Sequence, residues 1–323
     1  MNKERNLLSE LDLRILARLK DEPAISNMML AQDVGLTRSQ LLSRLNRIES
    51  LDIAHVVALT DIGAGGANLF YVYVAVGQRQ VDEVAAEIAK SPYSTTIAGL
   101  LGSDDLLVAL RLPAHHAAAS AVDILRNIDG VTSLRTLQVL RYYTMKNEHM
   151  RFSTSAHESL EARTARLVDE LAGIQIDDLD YALIAEFQIN GRVPVRELSQ
   201  RYGLTQGAIR YRLKNLHAKK VLRLGLVIDP VALGLRCWAA FEIDVVPSAV
   251  DSVVADLDRN SWNVLLMLSN GASMLQCVAL TTDIEAMREA LRYVRSLEGV
   301  NRVEPQLFSR IYYNEPHWGL FGD

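Results

Sequence analysis

Cysteine is almost absent from this chain of 323 residues, which holds only Cys237 and Cys277. Both lie in apolar, strand-like surroundings and read as reduced core residues. Two cysteines without neighbouring histidines do not make a zinc site. A disulfide would require adjacent strands to set them side by side, in a compartment that permits one. Long apolar runs are missing too. No stretch approaches the ~20 residues of a membrane span, and the opening MNKERNLLSELD has no signal-type core. A cytoplasmic protein without membrane contact is expected. Positive charge is not in excess either: 34 Lys and Arg against 39 Asp and Glu leave a net charge of −5. That removes a whole-molecule argument for nucleic-acid binding, although a local basic patch still suffices to neutralise phosphates. Finally, there is no GxSxG, no P-loop and no HExxH. No catalytic residues, metal ligands or cofactors are expected. His115-His116 begins a predicted helix after Pro113, where adjacent side chains diverge, so that pair is not expected to ligate.

What is present is enough apolar content, 49%, for sizeable cores, and enough length for more than one domain. The dominant feature is internal similarity. Shifting the chain by 168 lays 11–53 on 179–221 without a gap. Leu11/Leu179, Asp12/Asp180, Leu30/Leu198, Gly35/Gly203, Leu36/Leu204, Thr37/Thr205, Arg44/Arg212 and Leu45/Leu213 are identical. After a one-residue slip, Gly102 meets Gly271, and Gly130-Val131 meets Gly299-Val300. Residues 7–143 therefore repeat as 175–313.

The first part of each repeat is helical. Leu11, Ile15, Leu16 and Leu19 share one helical face. A short helix spans about 27–34, and a third carries Leu41, Leu45 and Ile48 inward. Between them lies Gly35-Leu36-Thr37, a glycine for the left-handed turn and a threonine for the next cap. The second repeat matches, with helices over 179–187 and 195–201, then Gly203-Leu204-Thr205 before Ile209, Leu213 and Leu216. The second part alternates strand and helix. Strands are predicted over 69–76, 95–101, 106–112 and 131–140, with helices over 81–90 and 116–128. The second repeat has strands over 237–245, 264–269, 273–280 and 300–308, with helices over 250–260 and 284–297. That order is the βαββαβ split motif of ferredoxin-like folds.

The expected fold is α+β: two winged helix-turn-helix domains and two ferredoxin-like βαββαβ sensor domains, paired within one chain as a pseudo-dimer. The domains fall at 7–60, 66–143, 176–228 and 235–313. Residues 144–175 form a charged linker, helical over 158–171.

A third helix behind a glycine turn suits the DNA major groove, where its N-terminal residues reach base edges. Its exposed positions in the second repeat are Gln206, Gly207, Arg210, Tyr211 and Lys214. From 205 to 223 there are six Lys or Arg and no acid, a notable concentration in an acidic chain. The first repeat offers Arg38, Ser39, Leu42 and Ser43, with Arg47 nearby; Leu42 stands where the second has Arg210. Arg44 and Arg212 are equivalent and approach either phosphate or a neighbouring carboxylate. The second unit is thus expected to supply most of the electrostatic affinity.

These residues resemble the leucine-responsive regulator/asparagine regulator family. The resemblance rests on Leu11-Asp12 and Leu179-Asp180, on Gly-Leu-Thr…Arg-Leu in both halves, on Val227-Ile228-Asp229-Pro230…Leu233-Gly234, and on Gly102…Asp105 with Gly130-Val131. It implies a transcriptional regulator of double-stranded DNA that responds to an amino acid or related small molecule. It implies that Gly102, Asp104 and Asp105 bind this effector, whereas the residues alone equally describe a β-turn capped by aspartate. The second repeat has no acid in its turn, Asn270-Gly271-Ala272-Ser273-Met274, so one effector site per chain is expected. The resemblance further implies a homo-oligomer, a dimer or tetramer of pseudo-dimers. Sirohaem decarboxylases resemble the same family and also occur as fused pairs. Arg141, Tyr142, Tyr143, His149 and Arg151 form the polar-aromatic cluster that supports this alternative. The Cys-Tyr-Arg-Arg and Trp-Pro-Tyr-Asn segments of those enzymes are replaced by Ser94-Thr95-Thr96-Ile97 and Asn263-Val264-Leu265-Leu266.

Overall fold

The computed structural model describes residues 8–146, 159–315 and 317–321. The first helical unit comprises α1 (Glu10–Asp21), α2 (Asn27–Asp33) and α3 (Arg38–Ser50). Ser9 and Thr37 cap α1 and α3 reciprocally with Asp12 and Gln40, satisfying donors that a helix start leaves open. Gly35 takes φ +73°, the left-handed conformation that ends α2 without side-chain strain. Leu16, Leu30, Leu41 and Ile48 form the core of this unit.

Strand β1 (Ala54–Asp61) follows, then the first α/β unit: β2 (Asn68–Val76), α4 (Val81–Ile88), β3 (Ser94–Leu101), β4 (Leu106–Leu112), α5 (Ser120–Arg126) and β5 (Val131–Met145). The connecting helix α6 spans Leu160–Glu170. The second helical unit is α7 (Asp178–Ile189), α8 (Val195–Arg201) and α9 (Gln206–Ala218), followed by β6 (Arg223–Ile228). Then come β7 (Cys237–Val245), α10 (Val250–Asp258), β8 (Asn263–Ser269), β9 (Leu275–Thr281), α11 (Ile284–Ser296), β10 (Val300–Asn314) and the short β11 (Trp318–Gly319).

The eight strands of the two α/β units close into one barrel, in the order β10-β3-β4-β2-β5-β8-β9-β7. Closure depends on two strands that outrun their predicted ends. The second half of β5 pairs with β8, from Val139↔Ser269 to Met145↔Leu265. The end of β10 pairs with β3, from Leu307↔Leu101 to Asn314↔Thr96. The fourth strand of each half thus pairs with the second strand of the other. Ladder bonds between distant segments sustain these extensions, which local patterning ending at 140 and 308 does not show.

The two helical units are also joined. β1 pairs antiparallel with β6, from Ala54↔Ile228 to Leu59↔Arg223, and β11 adds to β1 in parallel. Gly191, in the turn after α7, donates its N–H to the Val56 carbonyl at 2.8 Å. A Cβ there would stand 2.6 Å from that oxygen, so glycine permits the approach. Arg192 donates to the carbonyls of Pro23 and Ile25, each at 2.9 Å, and to the Asn27 side chain. One guanidinium therefore clasps the loop before α2.

One expectation is corrected, and the reduced state expected of the two cysteines agrees with the structure. The helix expected over 116–128 begins only at Ser120: the His116 N–H donates to the Pro113 carbonyl in a turn, and α5 has no side-chain cap. The histidine pair therefore precedes the helix instead of diverging along it. The cysteines do not face each other: Cys237 lies opposite Thr281 and Cys277 opposite Phe241, and both are free thiols.

Candidate nucleic-acid interface and sensor sites

Helix α9 is set by Thr205, whose hydroxyl accepts the Ala208 N–H at 3.1 Å. Ile209 and Leu216 are buried beneath it. The residues between face solvent: Gln206, Gly207, Arg210, Tyr211 and Lys214 are exposed, Tyr211 by 67%. Arg210 Nη2 lies 3.3 Å from the Gln206 side-chain oxygen. Among the described residues Lys214 has no ion-pair partner, which leaves its charge facing solvent. An exposed aromatic between two cations on a grooved helix face suits contact with a duplex.

On α3, Arg38, Ser39, Ser43 and Arg47 are exposed, while Leu42 is half-buried. The equivalent arginines Arg44 and Arg212, and also Arg47, reach carboxylates at the start of the first helix of their unit. Arg44 Nη1 donates to Asp12 Oδ1 at 2.9 Å and Arg47 Nη2 to Asp12 Oδ2 at 2.6 Å. Asp12 is fully buried. Burial opposes its charge, but bonds from Ser9 and Arg44 and the field of Arg47 hold its carboxyl below the ordinary value. Arg212 repeats the pattern, binding Asp177 at 2.7 Å and Asp180 at 2.8 Å. These two carboxylates raise its pKa. Of the two readings open for Arg44 and Arg212, the geometry is that of carboxylate partners. The Asp-Arg identities between the repeats thus brace the third helix against the first.

The acidic turn of the first α/β unit is also internally occupied. Asp105 Oδ2 accepts the Val76 N–H at 2.7 Å, so this carboxylate ties the β3–β4 turn to the end of β2. Asp104 lies 3.3 Å from Arg135 Nη2, and Arg135 is held in a two-point pair by Glu242 of the other half at 2.7 and 2.8 Å. Those partners raise the Arg135 pKa, with the Glu242 hydrogen bond the largest effect. The Arg135 guanidinium also lies 3.9 Å over the Tyr73 ring. Gly102 is packed so closely on Gln306 that a Cβ would meet its oxygen at 2.3 Å.

Patterning gave no sign of two further features. One is a cavity of about 90 Å³ inside the barrel, lined by Tyr71, Tyr142, Trp238, Val264, Phe308 and Trp318 among others. Tyr71 and Tyr142 are hydrogen-bonded partners there, and burial pushes Tyr71 up to about 12. The other is a buried ionic junction beneath it. Arg111 of β4 is 2% exposed and donates to the carbonyls of Ile62, Ala64 and Glu170. Arg166 binds Glu170 at 2.8 Å and approaches Glu315 at 3.6 Å. Burial lifts Glu170 to about 7. Burial works the same way on Glu315, but the His317 charge and hydrogen bond, with Arg166 and Arg163, pull it far below the ordinary range. His317 in turn bonds the Gln188 carbonyl of α7 at 2.8 Å. Isolated charges along the chain give no hint of this junction, because its members come from four elements.

The AsnC-type helix-turn-helix domain is matched by residues 176–217. An uncharacterised HTH-type transcriptional regulator of Pyrococcus horikoshii is 31% identical over 141 residues, which span 40% of this chain and 88% of that protein. The chain belongs to the Lrp/AsnC family of helix-turn-helix transcriptional regulators. Another similar member of the family, the HTH-type transcriptional regulator FL11 of Pyrococcus furiosus, is 28% identical over 42% of this chain and 91% of its own length. Each such Lrp/AsnC relative therefore corresponds to about two-fifths of this chain.

The solved structure of the siroheme decarboxylase NirDL superposes on nearly the whole chain. Its TM-score is 0.63 at 14% identity, with 95% of this chain and 93% of that chain covered. At that identity the likeness is one of fold. The cluster expected for tetrapyrrole chemistry is divided by the pleat of β5. Tyr142 lines the cavity, while Tyr143 packs on the outer core beneath α10 and α11. Arg141 is exposed and lies 5.9 Å from the Tyr143 ring. His149 and Arg151 lie outside the described residues.

Proposed function

We propose that this chain is a sequence-specific DNA-binding regulator whose two halves, related by tandem duplication, act as a pseudo-dimer. The observation that carries this reading is the solvent-facing, acid-free basic face of α9, on a helix-turn-helix of AsnC type. The groups assigned to DNA are Gln206, Gly207, Arg210, Tyr211 and Lys214 of α9, with Arg38, Ser39, Leu42 and Ser43 of α3. Arg44, Arg47 and Arg212 act mainly by holding these helices in place. Because the two helices differ, the preferred operator is an imperfect palindrome with half-sites about one DNA turn, ~34 Å, apart. Binding measured at several salt concentrations tests the assignment. Arg210→Ala/Lys214→Ala should weaken binding and lower the salt slope by about 2, and Arg38→Ala/Arg47→Ala should lower it by about 1 or less. Equal slopes for both variants would refute the unequal division.

The effector assigned to this regulator is an amino acid or related zwitterion, bound in the first half at Gly102, Asp104 and Asp105. Arg135 and Asp104, already paired with each other at 3.3 Å, put charges of both signs at one rim, and Asp105 ties the turn that carries them to β2. Calorimetry with amino acids should show binding that Asp104→Ala abolishes; unchanged binding would refute the assignment. Assembly into a homodimer or tetramer of such chains belongs to the same reading.

A decarboxylase reading is favoured by one observation, the full-length likeness to NirDL. The barrel cavity argues against it, because at about 90 Å³ it falls well below the ~300–1,000 Å³ of pockets for drug-sized ligands. Incubation with sirohaem followed by absorbance spectroscopy separates the two, since a shifted, stoichiometric spectrum would favour the enzyme.

A further inference from the structure

The turn before α5 brings His115 and His116 against α6, an element 53 residues further along the chain. One ring nitrogen of each histidine and a carboxylate oxygen of Asp169 lie within 4.8 Å of one another. His115 Nε2 is already 3.3 Å from Asp169 Oδ1. The imidazole centroids stand 4.6 Å apart with the rings tilted by 46°. Behind them the Tyr93 hydroxyl lies 3.1 Å from His116 Nε2, and its ring meets the imidazole edge-on at 4.9 Å. Such a hydrogen bond fixes the orientation of a ligating imidazole.

We propose that His115, His116 and Asp169 form a site for a divalent transition-metal ion such as Zn²⁺. Two imidazoles and a carboxylate suit ions of this class over Mg²⁺ or Ca²⁺, which prefer oxygen shells. A tetrahedral ion holds nitrogen and oxygen ligands at 2.0–2.2 Å, so donors settle about 3.4 Å apart. The 3.3 Å pair already meets that spacing, and the third donor closes from within 4.8 Å, by up to about 1.4 Å, through side-chain rotation. A fourth position remains for water, because His115 is exposed and the other two ligands are half-buried.

The location gives the ion a mechanical role. α6 buries Leu167, next to Leu171, against Tyr181, Ile184 and Phe187 of the second helical unit. The histidines belong to the turn between β4 and α5 of the first α/β unit. A bound ion would therefore cross-link the barrel to the helix on which the second DNA-binding unit rests. Metal binding itself is independent of the DNA-binding reading.

The test is calorimetric titration of the full chain, tag-free and freed of metal by chelation, with ZnSO4. One ion per chain is expected. His115→Ala/His116→Ala should abolish that binding, Asp169→Asn should weaken it at least tenfold, and His55→Ala should leave it unchanged. Hydrogen exchange of α6 should slow on zinc addition in the wild type and in His55→Ala only. Circular dichroism verifies that each variant folds. If the double variant misfolds, the decision passes to Asp169→Asn. No binding by the wild type would overturn the site, as would binding undiminished in a folded double variant or in Asp169→Asn.

Discussion

Replacing Asp12 by asparagine should loosen the first helical unit far more than Asp180→Asn loosens the second, although the two aspartates are equivalent in the repeat. Asp12 is fully buried and accepts four bonds: the Ser9 N–H at 2.8 Å, the Ser9 hydroxyl at 2.6 Å, Arg44 at 2.9 Å and Arg47 at 2.6 Å. Asparagine keeps the volume but turns one acceptor into a donor facing other donors. A hydrogen bond to a charged group contributes ~1.5–3 kcal/mol. Two such bonds are lost or weakened, discounted because the Arg44 and Arg47 side chains are 34% and 43% exposed. The expected loss is about 2–4 kcal/mol. In Asp180→Asn, Arg212 retains Asp177 at 2.7 Å, so about 1 kcal/mol is expected. Hydrogen exchange of α1–α3 and α7–α9, followed separately, measures the two local stabilities. The pH dependence provides a second check. The folded-state pKa of Asp12 is lowered, so its contribution is complete above the ordinary value of 3.8 and disappears as pH falls through the lower folded value. The gap between wild type and Asp12→Asn should therefore narrow in acid below about pH 4. Equal losses in the two units, or a gap that widens in acid, would refute the argument.

Other outcomes follow from the same geometry. Gly191→Ala should cost about 1–3 kcal/mol by forcing a methyl against the Val56 backbone, visible as faster exchange in β1 and β6; unaltered exchange would contradict the close approach. Arg192→Ala should leave each unit folded but release the loop before α2, which limited proteolysis would detect as new cleavage near Pro23. Asp105→Ala should weaken the β3–β4 turn by about 1–3 kcal/mol through the unpaired Val76 N–H; a larger fall than in Asp104→Ala is expected in a thermal melt.

The order of helices and strands was legible because each element follows from its own local chemistry. Gly35 and Gly203 with Thr37 and Thr205 mark the turn and cap of the third helix, and leucine spacing gives its buried face. Strand alternation gives two βαββαβ units, with most boundaries within two residues. The exposed stripe of α9 follows from the same spacing, because solvent-facing positions on a capped helix are a local property. Three things required the tertiary structure. Strands β5 and β10 run on to 145 and 314 because each borrows ladder partners from the opposite half. Arg44, Arg47 and Arg212 gain carboxylate partners because Asp12, Asp177 and Asp180, some 32–35 residues away, arrive beside them. His115 gains Asp169 as a partner, with His116 beside them, because their turn stops short of a helix and meets α6. In each case the deciding energy lies in a contact between distant segments. The chain determines which residues form helices, strands and caps; tertiary packing, within the helical units as well as around the barrel, determines which charges face solvent and which face one another.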